Sequence, residues 1–368
     1  MEGLFTSNIT RCLDDAGISA VVMGLKHSRE IGIDQNCAAF YLVEDDSFQQ
    51  GTNLLGKIAE AVIEEKVDII MPICVPSISF VANHADRLKN ICRIAPVADF
   101  RAVQHLNNKW ELYKTAQDLG VPAPKTIMLE NALQARDIPF APPMVSKPPD
   151  QMGALGVMYH NSDQQWLDRR AGLEYPVLLQ EYVAGIDMCV SCYSQNGETI
   201  AVVVQQNAPG GLEFIEHKEA AQWCRQILKH LNYTGPSHFD FRLGEDHCTA
   251  KLLECNPRYW ASVYAAKMAG INFPELAVRM AFDDSSLNNP QARLGWVPFK
   301  RNVLIRSPRL AVKQWALIKP FLVKYATYLR KNMVFEFYKV MKPSDPNKLE
   351  TWFRFYTRQN NIRRKYRS

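Results

Sequence analysis

Short apolar runs alternate with stretches of helical spacing through the first third of the chain. Ile18–Leu25, Ala38–Val43 and Ile69–Cys74 are apolar and bounded by polar or turn-forming residues, which predicts strands. Between the last two, Leu54, Leu55, Ile58, Val62 and Ile63 recur at helical spacing and predict an amphipathic helix with those side chains on its buried face. Strands alternating with helices point to an α/β fold with a parallel sheet. A helix is also expected around Thr6–Ala16, with no room before it for a leading strand, so that strand is expected to be absent or the chain to start late.

The pattern changes at Asn107. The stretch NNKWELYKTAQDLGVPAPKTIML predicts an amphipathic helix ending at Gly120, then a strand after Pro122 and Pro124. An apolar strand from Pro143 next delivers Lys147 into a loop holding Gly153 and Gly156. A lysine on a flexible stem can neutralise phosphate oxygens, and small residues let backbone N–H groups approach an anion. After an extended apolar run from Pro176, the segments Asp187–Tyr193 and Glu198–Gln205 alternate around Asn196-Gly197, which predicts a β-hairpin.

A second hairpin organises the rest, between His238 and Ser262, with its turn at Leu243–His247. Side chains alternate along a strand, so Glu254 and Asn256 share a face, and Asp240 on the partner strand can meet them. Two carboxylates and an amide oxygen make a hard-oxygen site of the kind Mg²⁺ prefers. Arg258 follows Pro257, close enough to meet an anion held there.

Glu254-x-Asn256-x-Arg258 at a strand end, with Asp240 one strand earlier, resembles the metal-binding signature of the ATP-grasp enzymes. That superfamily includes biotin carboxylase, D-alanine–D-alanine ligase and the large subunit of carbamoyl-phosphate synthetase. The resemblance extends in order over about residues 107–265. It implies that Lys109, at the start of its helix, and Lys147 contact the nucleotide phosphates. It implies a lid loop around Gly153 and Gly156, although Pro148-Pro149 and a poverty of glycine set this loop apart. The peptides of Glu181, Tyr182 and Val183 would meet the adenine edge, and Asp187 the ribose. Metal ligands would be Asp240, Glu254 and Asn256, with Arg258 acting on the transferring group. Expected cofactors are ATP and Mg²⁺, with Mn²⁺ as the alternative.

The implied activity is ATP-dependent ligation of a carboxylate to an amine through an acyl phosphate, giving an amide or peptide-like bond on small-molecule substrates. A catalytically silent ATP-binding regulatory module is the second reading. The expected architecture is α/β: a Rossmann-like parallel domain over residues 1–105, an α+β ATP-grasp domain over 106–290, and a helical, basic C-terminal segment over 291–368. Glu216 and His217, after Pro209-Gly210-Gly211, are candidates for a substrate loop. Tyr259, Trp260 and Ser262 either line the acceptor side of the cleft or pack the hairpin end.

Charge adds one feature. Of 43 Lys/Arg and 38 Asp/Glu, 19 and 3 fall in residues 293–368, interleaved with aromatics. Such a segment suits an anionic membrane surface, with nucleic acid less favoured and packing against the acidic body the plain alternative. No signal-peptide core is recognisable, and the longest uncharged run, Ile69–His84, is too short to span a bilayer and holds Pro72 and Pro76. These features lead to the expectation of a cytoplasmic protein, peripheral at the inner membrane face. The nine cysteines follow no framework spacing. Cys189-x-x-Cys192 lies in a strand without a second ligand pair, so no zinc or redox role is assigned to it. Gly51–Lys57 mimics a phosphate loop, but Ile58 stands where a Ser or Thr would be needed.

Overall fold

The computed structural model describes residues 2–34, 36–43, 52–132, 134, 138–151, 154–284, 290–299, 366 and 367. The N-terminal part runs α1 (Glu2–Asp14), β1 (Val21–Gly24), a 3₁₀ helix (Lys26–Ile33), β2 (Ala39–Leu42), α2 (Thr52–Glu65), β3 (Ile69–Ile70), α3 (Val75–Asn83), α4 (Ala85–Lys89) and β4 (Arg93–Ile94). Both β1–β2 and β3–β4 pair in parallel, as strands joined through helices must. The expected strand at Ile69–Cys74 stops after Ile70, because Pro72 offers no N–H to a ladder. On α2, Leu54, Leu55 and Ala61 are buried, while Ile63 is 75% exposed. The buried stripe therefore follows positions 54, 55, 58, 61 and 62, and Ile63 lies just beyond it.

Two helices then lead into the larger part: α5 (Phe100–Asn107), capped by Asp99, and α6 (Lys109–Asp118), capped by Asn108. Next come β5 (Thr126–Leu129), β6 (Met144–Lys147), β7 (Met158–His160), α7 (Asp163–Arg169) and β8 (Val177–Glu181). Their strands form a four-stranded antiparallel sheet in the order β5-β8-β6-β7. A second sheet is built from β9 (Ile186–Gln195), β10 (Glu198–Ala208), β11 (Gly211–Ile215), β12 (Gly235–Leu243), β13 (Ala250–Asn256) and β14 (Gly295–Pro298). Its order is β13-β12-β9-β10-β11-β14, and its helices are α8 (Lys218–His230), α9 (Val263–Met268) and α10 (Phe273–Ala281). The β9–β10 hairpin closes through Asn196 and Gly197, at φ 49° and 80°, the left-handed pair that a two-residue turn requires.

Alternation along the strands of the six-stranded sheet divides its two faces. Met188, Val190, Cys192, Phe239 and Phe241 pack under α5, α6 and α8. Tyr193, Ala201, Val203 and Phe214 face the opposite way, against α1, α9 and α10. Cys189, His238, Asp240 and Glu254 sit on this second face, at the end nearest the four-stranded sheet. Gly185 enters β9 at φ 135°, where a Cβ would lie 2.1 Å from the Leu243 carbonyl; only glycine lets the two strand ends approach so closely. The basic segment expected to be helical falls almost entirely on residues 300–365, outside the described residues.

Candidate active site

The β12–β13 hairpin sets the site. His238 pairs with Asn256 and Asp240 with Glu254, so the four side chains share one face. A bulge follows: Phe241 pairs with Leu252, leaving Leu253 without a cross-strand partner. The Leu253 carbonyl instead accepts a hydrogen bond from Lys147 Nζ at 3.2 Å. Lys147 arrives from β6 of the other sheet and donates also to Gln180 Oε1 at 2.9 Å. Gln180 is fixed in turn by donating to Thr126 Oγ1 at 2.8 Å.

Lys109 reaches the same place from the first turn of α6. Its Nζ donates to the Gln151 carbonyl at 2.6 Å and lies 3.5 Å from Glu254 Oε2. Glu254 thus stands between two buried lysines. Burial pushes the Lys147 ammonium down to about 8, opposed by Glu254 and aided by the charge of Lys109. The Asp240 carboxyl moves the other way, up to about 7, through burial first and then the charge of Glu254 opposite. Two carboxylates held this close repel each other, and a divalent cation would relieve that strain.

Asn256 bridges the hairpin to Arg258. Its Nδ2 donates to Asp240 Oδ2 at 3.0 Å, and its Oδ1 accepts from the Arg258 guanidinium at 3.0 Å. Arg258 also donates to the Tyr259 carbonyl at 2.7 Å and lies over the Phe5 ring of α1 at 5.5 Å. Helix α1 is tied to the same turn by Asn8, which donates to the Ala261 carbonyl. The first helix of the chain therefore backs the arginine.

Other residues singled out from sequence divide clearly. Glu181 ends β8, and its N–H and that of Tyr182 already bond to the Lys125 and Pro143 carbonyls. Asp187 pairs with Arg242 at 2.7 Å and accepts from Asn207 at 3.2 Å, whereas Val183 follows β8 outside any strand. Gly156 adopts φ 71° with Pro148 Cγ 2.7 Å from where a Cβ would stand; Gly153 lies outside the described residues. His217 caps a helix. Its Nδ1 accepts from the Ala220 N–H that opens α8, and Nε2 meets the Cys248 carbonyl at 3.1 Å. Tyr259 and Trp260 are 1% and 2% exposed, and the Trp260 ring stacks on His238, so they pack the hairpin end. Sequence reading missed Gln180, whose only signal is a glutamine inside an apolar strand. It also missed His238, whose role depends on strand pairing.

Comparison with known proteins adds the family. Residues 174–297 match the family described as ATP-grasp in the biosynthetic pathway with Ter operon. The ATP-grasp resemblance carried by the motifs is therefore shared by a family model over these residues. The chain is 21% identical to a D-aspartate ligase of Enterococcus faecium, over 54% of either sequence, so it spans about half the length of that curated relative. Its fold is similar to biotin carboxylase from Campylobacter jejuni, with TM-score 0.59, 14% identity, and coverage of 78% of this chain and 71% of that one. L-amino acid ligase from Bacillus licheniformis superposes with TM-score 0.56 at 17% identity, covering 77% and 71%. N5-carboxyaminoimidazole synthetase from Staphylococcus aureus gives 0.57 at 13%, covering 78% and 77%. No helix among the described residues is long and apolar enough to cross a membrane.

Proposed function

We propose that this chain is an ATP-dependent ligase joining a small-molecule carboxylate to an amine through an acyl phosphate, and forming an amide or peptide-like bond. The observation that carries the reading is the convergence of Lys109 and Lys147 on Glu254, with Asp240, Asn256 and Arg258 on the same hairpin face. A curated relative named D-aspartate ligase and a structural neighbour named L-amino acid ligase support the reaction class. In this reading residues 1–105 form the preceding α/β domain, 106–290 the ATP-grasp domain, and 291–368 the basic segment.

Asp240 and Glu254 are oxygen donors that fit Mg²⁺ or Mn²⁺, with Asn256 Oδ1 available if it leaves Arg258. The cation, when bound, supplies positive charge against the phosphate oxygens. The chain's own residues do the rest. Lys109 and Lys147 are the phosphate-holding lysines, and a dianion beside them would offset the cost of burying their charge. Arg258, anchored on Asn256 and Phe5, stabilises charge on the transferring group. Val183 and the adjoining strand end line the adenine edge, Asp187 faces the ribose, and Gly153 and Gly156 belong to the covering loop. Measuring ADP release with Mg-ATP against a panel of carboxylates and amines tests the proposal. Turnover stimulated by one pair and lost in Glu254→Ala supports it; nucleotide binding without stimulated turnover across the panel would favour a silent binding module.

The basic segment suggests a location. With 19 Lys/Arg against 3 Asp/Glu, residues 293–368 suit an anionic membrane surface, which would make this a cytoplasmic enzyme peripheral at the membrane. Pelleting with anionic liposomes tests that; equal binding by a chain lacking 293–368 would rule the segment out.

A further inference from the structure

On the sheet face beside the hairpin carboxylates, three side chains from two strands meet in a way the ligase reading does not use. Cys189 of β9 pairs directly with Asp240 of β12, and His238 precedes Asp240 by two residues, so all three share the face. Cys189 Sγ lies 3.2 Å from Asp240 Oδ1, and His238 Nε2 lies 3.4 Å from the same oxygen. All three donor atoms fall within 4.8 Å of one another. In a tetrahedral zinc site, bond lengths of about 2.0–2.3 Å put neighbouring donors about 3.3–3.7 Å apart. The two separations to Asp240 Oδ1 lie close to that, and the third is short enough for a small shift of the side chains to bring it there.

We propose that Cys189 Sγ, His238 Nε2 and Asp240 Oδ1 form a site for a zinc-class divalent cation, distinct in ligand chemistry from the hard-oxygen site on the other side of Asp240. A thiolate and an imidazole select zinc or cobalt over magnesium. The supporting shell is in place. Ser191 Oγ lies 2.8 Å from His238 Nδ1 and can accept its proton, which leaves the Nε2 lone pair toward Asp240. Asn256 holds Oδ2 of Asp240, leaving Oδ1 for the cation. Trp260 stacks at 9° on the imidazole and keeps the ring in its plane. Without a cation the Cys189 thiol donates to Asp240; on binding, that proton passes to solvent and the sulfur ligates as thiolate. The fourth position is left for water. The site itself does not depend on the ligase reading. If that reading holds, Asp240 is common to both cation sites, so occupancy of one opposes the other.

Cobalt(II) added to the full chain, without nucleotide, is the test. The expected result is one equivalent bound, with sulfur-to-cobalt charge-transfer absorption in the near-ultraviolet that zinc bleaches. Cys189→Ser must lose that absorption, and His238→Gln must weaken cobalt binding by about tenfold or more. Cys248→Ser, which removes an exposed thiol, must leave both intact. No charge-transfer band in the native sequence, or a band persisting in C189S, would overturn the proposal. X-ray absorption at the zinc edge of the native chain needs no variant: one sulfur in the nearest shell supports the site, and none overturns it.

Discussion

Lys109 Nζ rests 3.5 Å from Glu254 Oε2, so a lysine expected to hold phosphate is paired with a carboxylate expected to hold its metal. The pair explains how both charges are tolerated where Lys109 is 8% exposed. In the proposed function it would also tie nucleotide binding to the hairpin, since an anion arriving at Lys109 would loosen its hold on Glu254.

Replacing Glu254 by Gln removes the partner of Lys109 and the charge that sustains Lys147. Turnover should fall by about 100-fold or more, the scale of losing one charge-stabilising group at a reacting centre. Stability should drop by only about 1–2 kcal/mol, because Glu254 is partly exposed and solvent screens it. Steady-state kinetics beside urea unfolding separates the two effects.

The titration of Asp240 gives a signed prediction. Its folded-state carboxyl is raised from 3.8 to about 7, so the folded protein holds more protons than the unfolded chain between those values. Its contribution is therefore fully present below pH 3.8 and is lost as pH rises through 7. Asp240→Asn should gain on the native chain as pH climbs, with a larger excess in urea midpoint at pH 8 than at pH 5. An excess that is flat or reversed with pH would contradict the assignment.

Arg258→Lys keeps the charge but loses the fork that donates to both Asn256 and the Tyr259 carbonyl. Turnover should fall by about 100-fold while Mg-ATP affinity changes by less than about threefold. Equilibrium nucleotide binding alongside kcat checks this; equal losses in both would make Arg258 a nucleotide-binding group instead.

His217→Ala distinguishes a cap from a substrate residue. Losing the acceptor for the Ala220 N–H should cost about 1 kcal/mol of stability. The KM for the carboxylate and amine should not move. A raised KM at unchanged stability would return His217 to the substrate loop.

Much of this was legible because local chemistry dictated it. The Asn196-Gly197 turn, the helix opening at Lys109 and the shared face of Glu254 and Asn256 each follow from residue spacing and alternation alone, whereas the bulge after Asp240 is what sets Glu254 directly opposite it. Sequence also carried the order of the motifs that resemble those of ATP-grasp enzymes, since each sits in a short continuous stretch. Tertiary structure decided whatever required two distant strands or sheets to meet. The bulge that frees the Leu253 carbonyl for Lys147 joins residues 106 apart. Packing of α1 put Phe5 under Arg258, which no periodicity encodes. The fate of Cys189 shows the limit most plainly. Its C-x-x-C spacing puts Cys192 on the opposite face of β9, so the partner suggested by sequence points away. The neighbours it does meet, His238 and Asp240, come from the next strand, and only strand pairing brings them within reach.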